Sequence, residues 1–280
     1  MVLICSGTRQ ACVLCLLKRL QLSDILYSID PSRLPLKSLN SLNTCQQRDA
    51  EELFLEFLDG GMGVAMRSLF RGNSTTTLYC GRKDCDHSWL AHGDYHGGQF
   101  GSAGGQVDVI KLSIDDKETV VEAMEAYHSK QALHGGSTHE CGKCKRPLMQ
   151  EQQQARSTSH GSLLALQLKR FGVKTVAKTR TTFKDAHDVS FESTFKHCGH
   201  QYKLYAVLRH IGRDLHGGHW IVDVSRDAGW FSFDSQLNTN NVSKIKEKAA
   251  LCPEGATILL YQQEGIEKEC MHDFFILFSW

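Results

Sequence analysis

The sequence holds only 4 prolines, and it has no internal repeat, no low-complexity tract and no block of like charge. No stretch approaches the roughly 20 consecutive apolar residues of a membrane-spanning helix, and the opening MVLICSGTRQ is too short an apolar run for a secretory signal. Excess charge is missing as well. With 32 basic against 31 acidic residues the net charge is +1, so no overall field calls for nucleic acid or an anionic membrane. The glycine-rich YHGGQFGSAGGQ of residues 95–106 lacks a G-K-[ST] ending, which excludes a phosphate loop and leaves a flexible connection. These absences point to a soluble cytoplasmic or nuclear protein whose function sits in local sites. Cysteine, by contrast, is plentiful. An odd count of 11 spread over 280 residues suits reduced thiols and metal ligands better than a secreted disulfide framework.

Helices come first along the chain and strands later. ACVLCLLKRL is an apolar-rich helix candidate, and DAEELFLEFLDGG places Ala50, Leu53, Phe54, Phe57 and Leu58 at helical spacing. Asp49 is placed to cap that helix and Gly60-Gly61 to end it. SLLALQLKRF, YKLYAVLRH, HWIVDVS, GWFSF and ATILLYQQ then read as short strands separated by polar or glycine turns. This order predicts an α+β fold with a largely antiparallel sheet.

Two constellations carry chemistry. In LHGGHWIVDVSRDAGWFSFDSQ, a hairpin turn at RDAG sets Ile221 opposite Asp234 and His219 opposite Gln236. His219 and Asp234 then become diagonal neighbours on one face, about 7–8 Å apart at the backbone, a gap that an imidazole and a carboxylate close. A carboxylate that fixes the tautomer of a histidine makes a general base. A slip of one residue separates the two onto opposite faces, and the plain alternative is a surface histidine with Asp234 ending the hairpin. The second constellation pairs Cys80 and Cys85 of CGRKDC with Cys141 and Cys144 of CGKC. Four thiolates in two close pairs suit a closed, structural zinc site rather than a hydrolytic one. His87 and His139 are alternative ligands, and a metal-free pair of thiol loops is the other reading. Cys198 and His200 in CGH look like a further knuckle but lack a second pair.

Several blocks, in order, resemble the ubiquitin-specific protease family. QRDAEELFLEFLD resembles its glutamine box, and the two cysteine pairs resemble its zinc-ribbon fingers. LLALQLKRF is similar to the L-x-L-x-L-K-R-F strand without the usual preceding proline. YKLYAVLRHIG, GGHW and WFSFD resemble the histidine box, with Trp220 where tyrosine is commoner, and ATILLYQQ resembles the closing strand. The resemblance spans about residues 10–263 and implies a papain-like cysteine protease fold, with a partial thumb over residues 10–75, a zinc-finger region over 76–160 and an antiparallel palm sheet over 161–263. Residues 264–280 form a tail that either docks as a strand or lies outside the fold. The implied activity is thiol-dependent hydrolysis of the bond after the C-terminal glycine of ubiquitin, with ubiquitin and ubiquitinated proteins as partners and zinc as a structural cofactor. By the same resemblance His219 is the base, Asp234 its orienting residue, and Gln47, Asp49 and Glu52 contact the basic tail of ubiquitin. Asp49 and Glu52 also read locally, as a helix cap with a near capping box.

The family's nucleophile lies in a G-N-T-C-[YF]-M-N box, and none of the 280 residues form one. Cys45 in LNTCQQ shares the letters N-T-C but runs straight into the glutamine box, and Cys5 in ICSG fits no better. Three expectations follow: an active deubiquitinase represented here by an N-terminally truncated catalytic domain, a catalytically dead ubiquitin-binding pseudoenzyme, or a zinc-stabilised interaction module. In the truncated case the apolar face of CVLCLLKRL is exposed and seeks a partner.

Overall fold

The computed structural model describes residues 69–80, 82–90, 106–132, 141–146, 152–176, 179–212, 219–226, 228–234 and 242–265. The helices expected before residue 69, the glycine-rich connection and the tail beyond residue 265 lie outside the described residues. Fifteen strands and two helices are described. The first strands are β1 (Gly72–Tyr79), β2 (Ser88–Leu90), β3 (Gln106–Val107) and β4 (Ile110–Leu112), followed by helix α1 (Val120–His128) and β5 (Gln131–Ala132). Next come β6 (Gln152–Ser159), β7 (Leu163–Leu168), β8 (Phe171–Val176), β9 (Thr179–Lys184), β10 (Thr194–His197) and β11 (His200–Ile211). The chain then forms β12 (His219–Arg226), β13 (Gly229–Asp234), β14 (Val242–Ile245), the short α2 (Glu247–Ala250) and β15 (Ala256–Gln263).

All five strands read from the sequence are present, and they assemble into one eight-stranded sheet. Its order is β14-β13-β12-β11-β15-β7-β4, with β10 hairpinned onto β11. The pairings are antiparallel except for β4 with β7. β7 lies between β15 and β4 and is buried at every position, which is why LLALQL reads as a nearly continuous apolar run rather than an alternating one. Leu164, Leu166 and Leu168 meet Leu204, Val207, Leu259 and Tyr261 in the main core.

Helix α1 covers that core with Val120, Ala123, Met124 and Tyr127, the i, i+3, i+4, i+7 stripe of an amphipathic helix. Its start is a capping box: Thr119 Oγ1 accepts from the Glu122 N–H at 3.1 Å, and Glu122 accepts from the Thr119 N–H at 3.3 Å. The helix was not read from the sequence, although T-V-V-E is the pattern that announces such a box.

A second sheet, ordered β2-β1-β6-β5 with β3 on β1, projects the two cysteine pairs. Its long strands, GNSTTTLY and QQQARSTS, are mostly polar, so the sheet has little apolar surface of its own to bury. The remaining sheet is the β8–β9 hairpin. Cys198 and His200 prove to be hairpin residues: His197 pairs with His200 across a two-residue turn in which Cys198 and Gly199 take φ of 48° and 82°. Left-handed values at both central positions define a type I′ hairpin.

Where β1 begins and β6 ends, three histidine rings line up. His160 and His197 have ring centroids 5.4 Å apart, and His197 stacks on His128 at 6.0 Å. His160 is wedged against Gly72, where an added Cβ would meet its ring at 2.7 Å. Burial pushes both His160 and His197 down to about 4 from the ordinary 6.5, with the neighbouring histidines adding to the effect on His197. A depressed histidine contributes stability that is complete above about pH 6.5 and lost as pH falls toward 4, because the unfolded chain takes up the protons first. Urea unfolding should therefore weaken across that window, and a His160→Leu/His197→Leu double variant should flatten the slope. An unchanged slope in the double variant would show that other groups set the acid sensitivity.

Candidate catalytic pair and metal centre

The sheet register brings the first constellation together as read. Arg226 pairs with Gly229 at the tight β12–β13 turn, where Gly229 takes φ +117°, a value that strongly favours glycine. From that turn the ladder runs Val224 to Phe231, Val222 to Phe233 and Ile221 to Asp234. His219 and Asp234 thus share a face as diagonal neighbours, and His219 Nε2 lies 2.5 Å from Asp234 Oδ1. The side chains are 15% and 25% exposed, sheltered enough to strengthen the contact and open enough to be reached. A carboxylate only accepts, so Nε2 carries the proton and Nδ1 presents the basic lone pair. The pair is equipped to take a proton at Nδ1 from an adjacent acid while Asp234 stabilises the resulting imidazolium.

The same face of β12 carries a second buried pair, Arg209 Nε to Asp223 Oδ2 at 2.6 Å. Every further donor of that guanidinium is placed on a carbonyl of residues 249–254: Ala249, Ala250, Cys252 and Glu254. Arg170, 1% exposed, is held in the same way by the carbonyls of Asp185, His187, Pro253 and Ala256. Neither arginine cage was read from the sequence. Arg170 is the arginine of the L-K-R-F run, and a cation set inside an apolar stretch is the one signal that announces a paired, buried charge.

The second constellation also closes. The sulfurs of Cys80, Cys85, Cys141 and Cys144 all lie within 4.8 Å of one another, with Cys80–Cys144 and Cys85–Cys141 each at 3.7 Å. Metal–sulfur bonds of about 2.3 Å in a tetrahedron place sulfurs about 3.8 Å apart, so the cluster has the dimensions of a four-thiolate metal site. Cys80 ends β1, Cys85 lies in the turn before β2, and Cys141 and Cys144 sit between β5 and β6. Turn backbones supply donors: N–H groups at Cys144 and Lys143 pull the Cys141 thiol down to about 6. Burial, with S–H···S contacts to its neighbours, pushes Cys80 up to about 12. Cys141 thus ionises before Cys80. His87 approaches Gly142 but is not among the clustered ligands. Lys143 pairs with Asp86, and Arg146 with Asp84 at 2.9 Å, across the two knuckles; both pairs are exposed and add little. Gln47, Asp49, Glu52, Cys45 and His139 lie outside the described residues.

A largely antiparallel sheet bearing a histidine–carboxylate pair, with a four-cysteine ribbon projecting from it, defines the papain-like architecture of ubiquitin-specific proteases. Residues 16–261 match the family model described as ubiquitin carboxyl-terminal hydrolase, and the chain belongs to that family. It is 28% identical over 148 residues to human ubiquitin carboxyl-terminal hydrolase 42, covering 50% of this chain and 11% of that protein. With ubiquitin carboxyl-terminal hydrolase 23 of Arabidopsis thaliana it is 28% identical over 160 residues, covering 55% and 18%. Among solved structures, the SAGA DUB module Ubp8/Sgf11/Sus1/Sgf73 bound to monoubiquitin matches with a TM-score of 0.65 at 20% identity, over 93% of this chain and 60% of that one. The chain therefore spans only a small part of the length of these curated relatives.

Proposed function

We propose that the protein is a thiol-dependent deubiquitinase that hydrolyses the bond after the C-terminal glycine of ubiquitin. The observation that carries this reading is the 2.5 Å contact of His219 Nε2 with Asp234 Oδ1, which leaves Nδ1 to deprotonate an attacking thiol and later to protonate the leaving amine. Asp234 keeps the imidazole in the productive tautomer throughout. Zinc is the ion we assign to Cys80, Cys85, Cys141 and Cys144. It supplies a structural cross-link when bound, because the protein fills all four positions. Four thiolates of this kind fit a reducing compartment, the cytoplasm or nucleus.

A second reading has its own support. No G-N-T-C-[YF]-M-N box occurs in the 280 residues, and among the described residues no hydrogen bond joins a cysteine to His219. Of the described cysteines four cluster as candidate metal ligands, Cys198 sits in the β10–β11 hairpin turn and Cys252 in the turn before β15. Without a thiol at Nδ1 the same fold binds ubiquitin and does not cleave it. One experiment separates the readings: the purified chain is mixed with ubiquitin bearing a C-terminal electrophile, and separately with a ubiquitin C-terminal amide. Hydrolysis that drops by about 10²–10⁴ in His219→Ala supports the enzyme. Ubiquitin binding without labelling or hydrolysis supports the inactive binder, and no binding at all leaves only a metal-stabilised interaction module.

A further inference from the structure

His219 stands at the first position of β12, and the Ile221–Asp234 pair sets it diagonal to Asp234. Towards β11 it pairs with Ile211, the last residue of that strand, and Trp220 pairs with His210. Side-chain packing reaches this strand end from the opposite face. Trp220 points away from the face of His219, and its ring lies 4.8 Å from that of His210 at 58°. His210 in turn meets Phe171 edge-on at 5.2 Å and 78°.

The middle residue is anchored through its backbone and by burial. His210 is 1% exposed, its backbone N–H donates to Gly255 O at 2.8 Å, and its backbone carbonyl accepts from Lys184 Nζ at 2.6 Å. Trp220 packs its tilted ring against this anchored residue. It does so although, among the described residues, its indole N–H is buried without an acceptor, a penalty that a packing role has to offset. We infer that Trp220, through the Phe171–His210–Trp220 ring cluster, is a positioning residue that holds His219 against Asp234. The inference rests on reading His219 as the base of this site.

The test reads the pair directly, by NMR of the His219 ring in the full metal-loaded chain. Wild type should show a protected Nε2–H resonance. Trp220→Ala should lose it, with solvent exchange of that proton rising at least about tenfold, while amide signals of β7 and β15 stay in place. Trp220→Phe, which keeps a ring on His210, should restore most of the protection. If the alanine variant fails to fold, Trp220→Leu provides the same comparison with apolar bulk retained. Unchanged protection in the alanine or leucine variant, or a phenylalanine variant as exposed as alanine, would overturn the assignment. Ubiquitin hydrolysis by wild type is scored separately: its absence with a protected Nε2–H strikes the functional reading alone.

Discussion

Chelating the metal from the four-cysteine site, or replacing Cys144 with serine, is expected to unfold the sheet of β1, β2, β5 and β6 while β7, β11 and β15 keep their protection. The expectation comes from what else holds that sheet. Its paired strands GNSTTTLY and QQQARSTS are mostly polar in sequence, and among the described residues the apolar cluster beside them consists of Cys80 and Cys141 with Cys85 and Cys144 packed on it. A four-thiolate zinc site contributes on the order of 10 kcal/mol of apparent binding free energy. That is comparable to the roughly 5–15 kcal/mol that stabilises a whole domain, so an ion bound there, and not the strands, would set whether this region is ordered. The main sheet has its own core of Leu164, Leu166, Leu168, Leu259 and Tyr261 and no need of the metal. Hydrogen exchange before and after chelation checks the prediction. Amides of Gly72–Tyr79 that stay protected without metal would show that backbone pairing alone suffices, and a protein that purifies without stoichiometric zinc would remove the premise.

The two constellations were legible because each is fixed over short range or by rare chemistry. The alternation of HWIVDVS and GWFSF around RDAG gives a hairpin register in which a shift of one residue would bury the wrong face, and the ladder runs as that register requires, with Ile221 opposite Asp234. Cysteines in C-x-x-C spacing have few alternative uses in such a chain. The strands β1 and β6 were not legible. Their polar residues show no apolar period, and they pair across more than seventy residues, Thr76 with Ala155 and Tyr79 with Gln152. The same long-range approach brings the two cysteine knuckles into one cluster, which no local preference announces. CGH, which resembles a knuckle without a second pair, is an ordinary hairpin segment, since glycine beside cysteine serves a type I′ turn as readily as a knuckle. The partners of the arginine cages left no local trace either, because they are backbone carbonyls that any sequence supplies; only the position of Arg170 inside an apolar run hinted at a buried charge.

Arg209→Ala is expected to destabilise the main sheet by about 3–5 kcal/mol, the range for removing one partner of a buried ion pair. Asp223, its side chain only 4% exposed, would be left charged and unpaired beneath α2. The guanidinium also has a second task that a simple ion pair lacks. Its five N–H donors meet five acceptors, one carboxylate oxygen and four carbonyls, and those carbonyls belong to the end of α2 and the turn that leads into β15. Arg209→Lys should therefore recover little, because an ammonium has three donors and no planar fork to match acceptors fixed on two segments. Asp223→Asn should be milder than either, since the four carbonyls still hold the arginine. Urea unfolding of the three variants gives the ranking Ala and Lys below Asn. If lysine proved as stable as wild type, charge alone would account for the site and the carbonyl cage would be incidental. The ranking bears on the catalytic pair as well. Asp223 and His219 lie on one face of the same strand, so a variant that loosens β12 at Asp223 is expected to weaken the His219–Asp234 contact. A separate effect of Trp220 must then be judged against variants matched in stability.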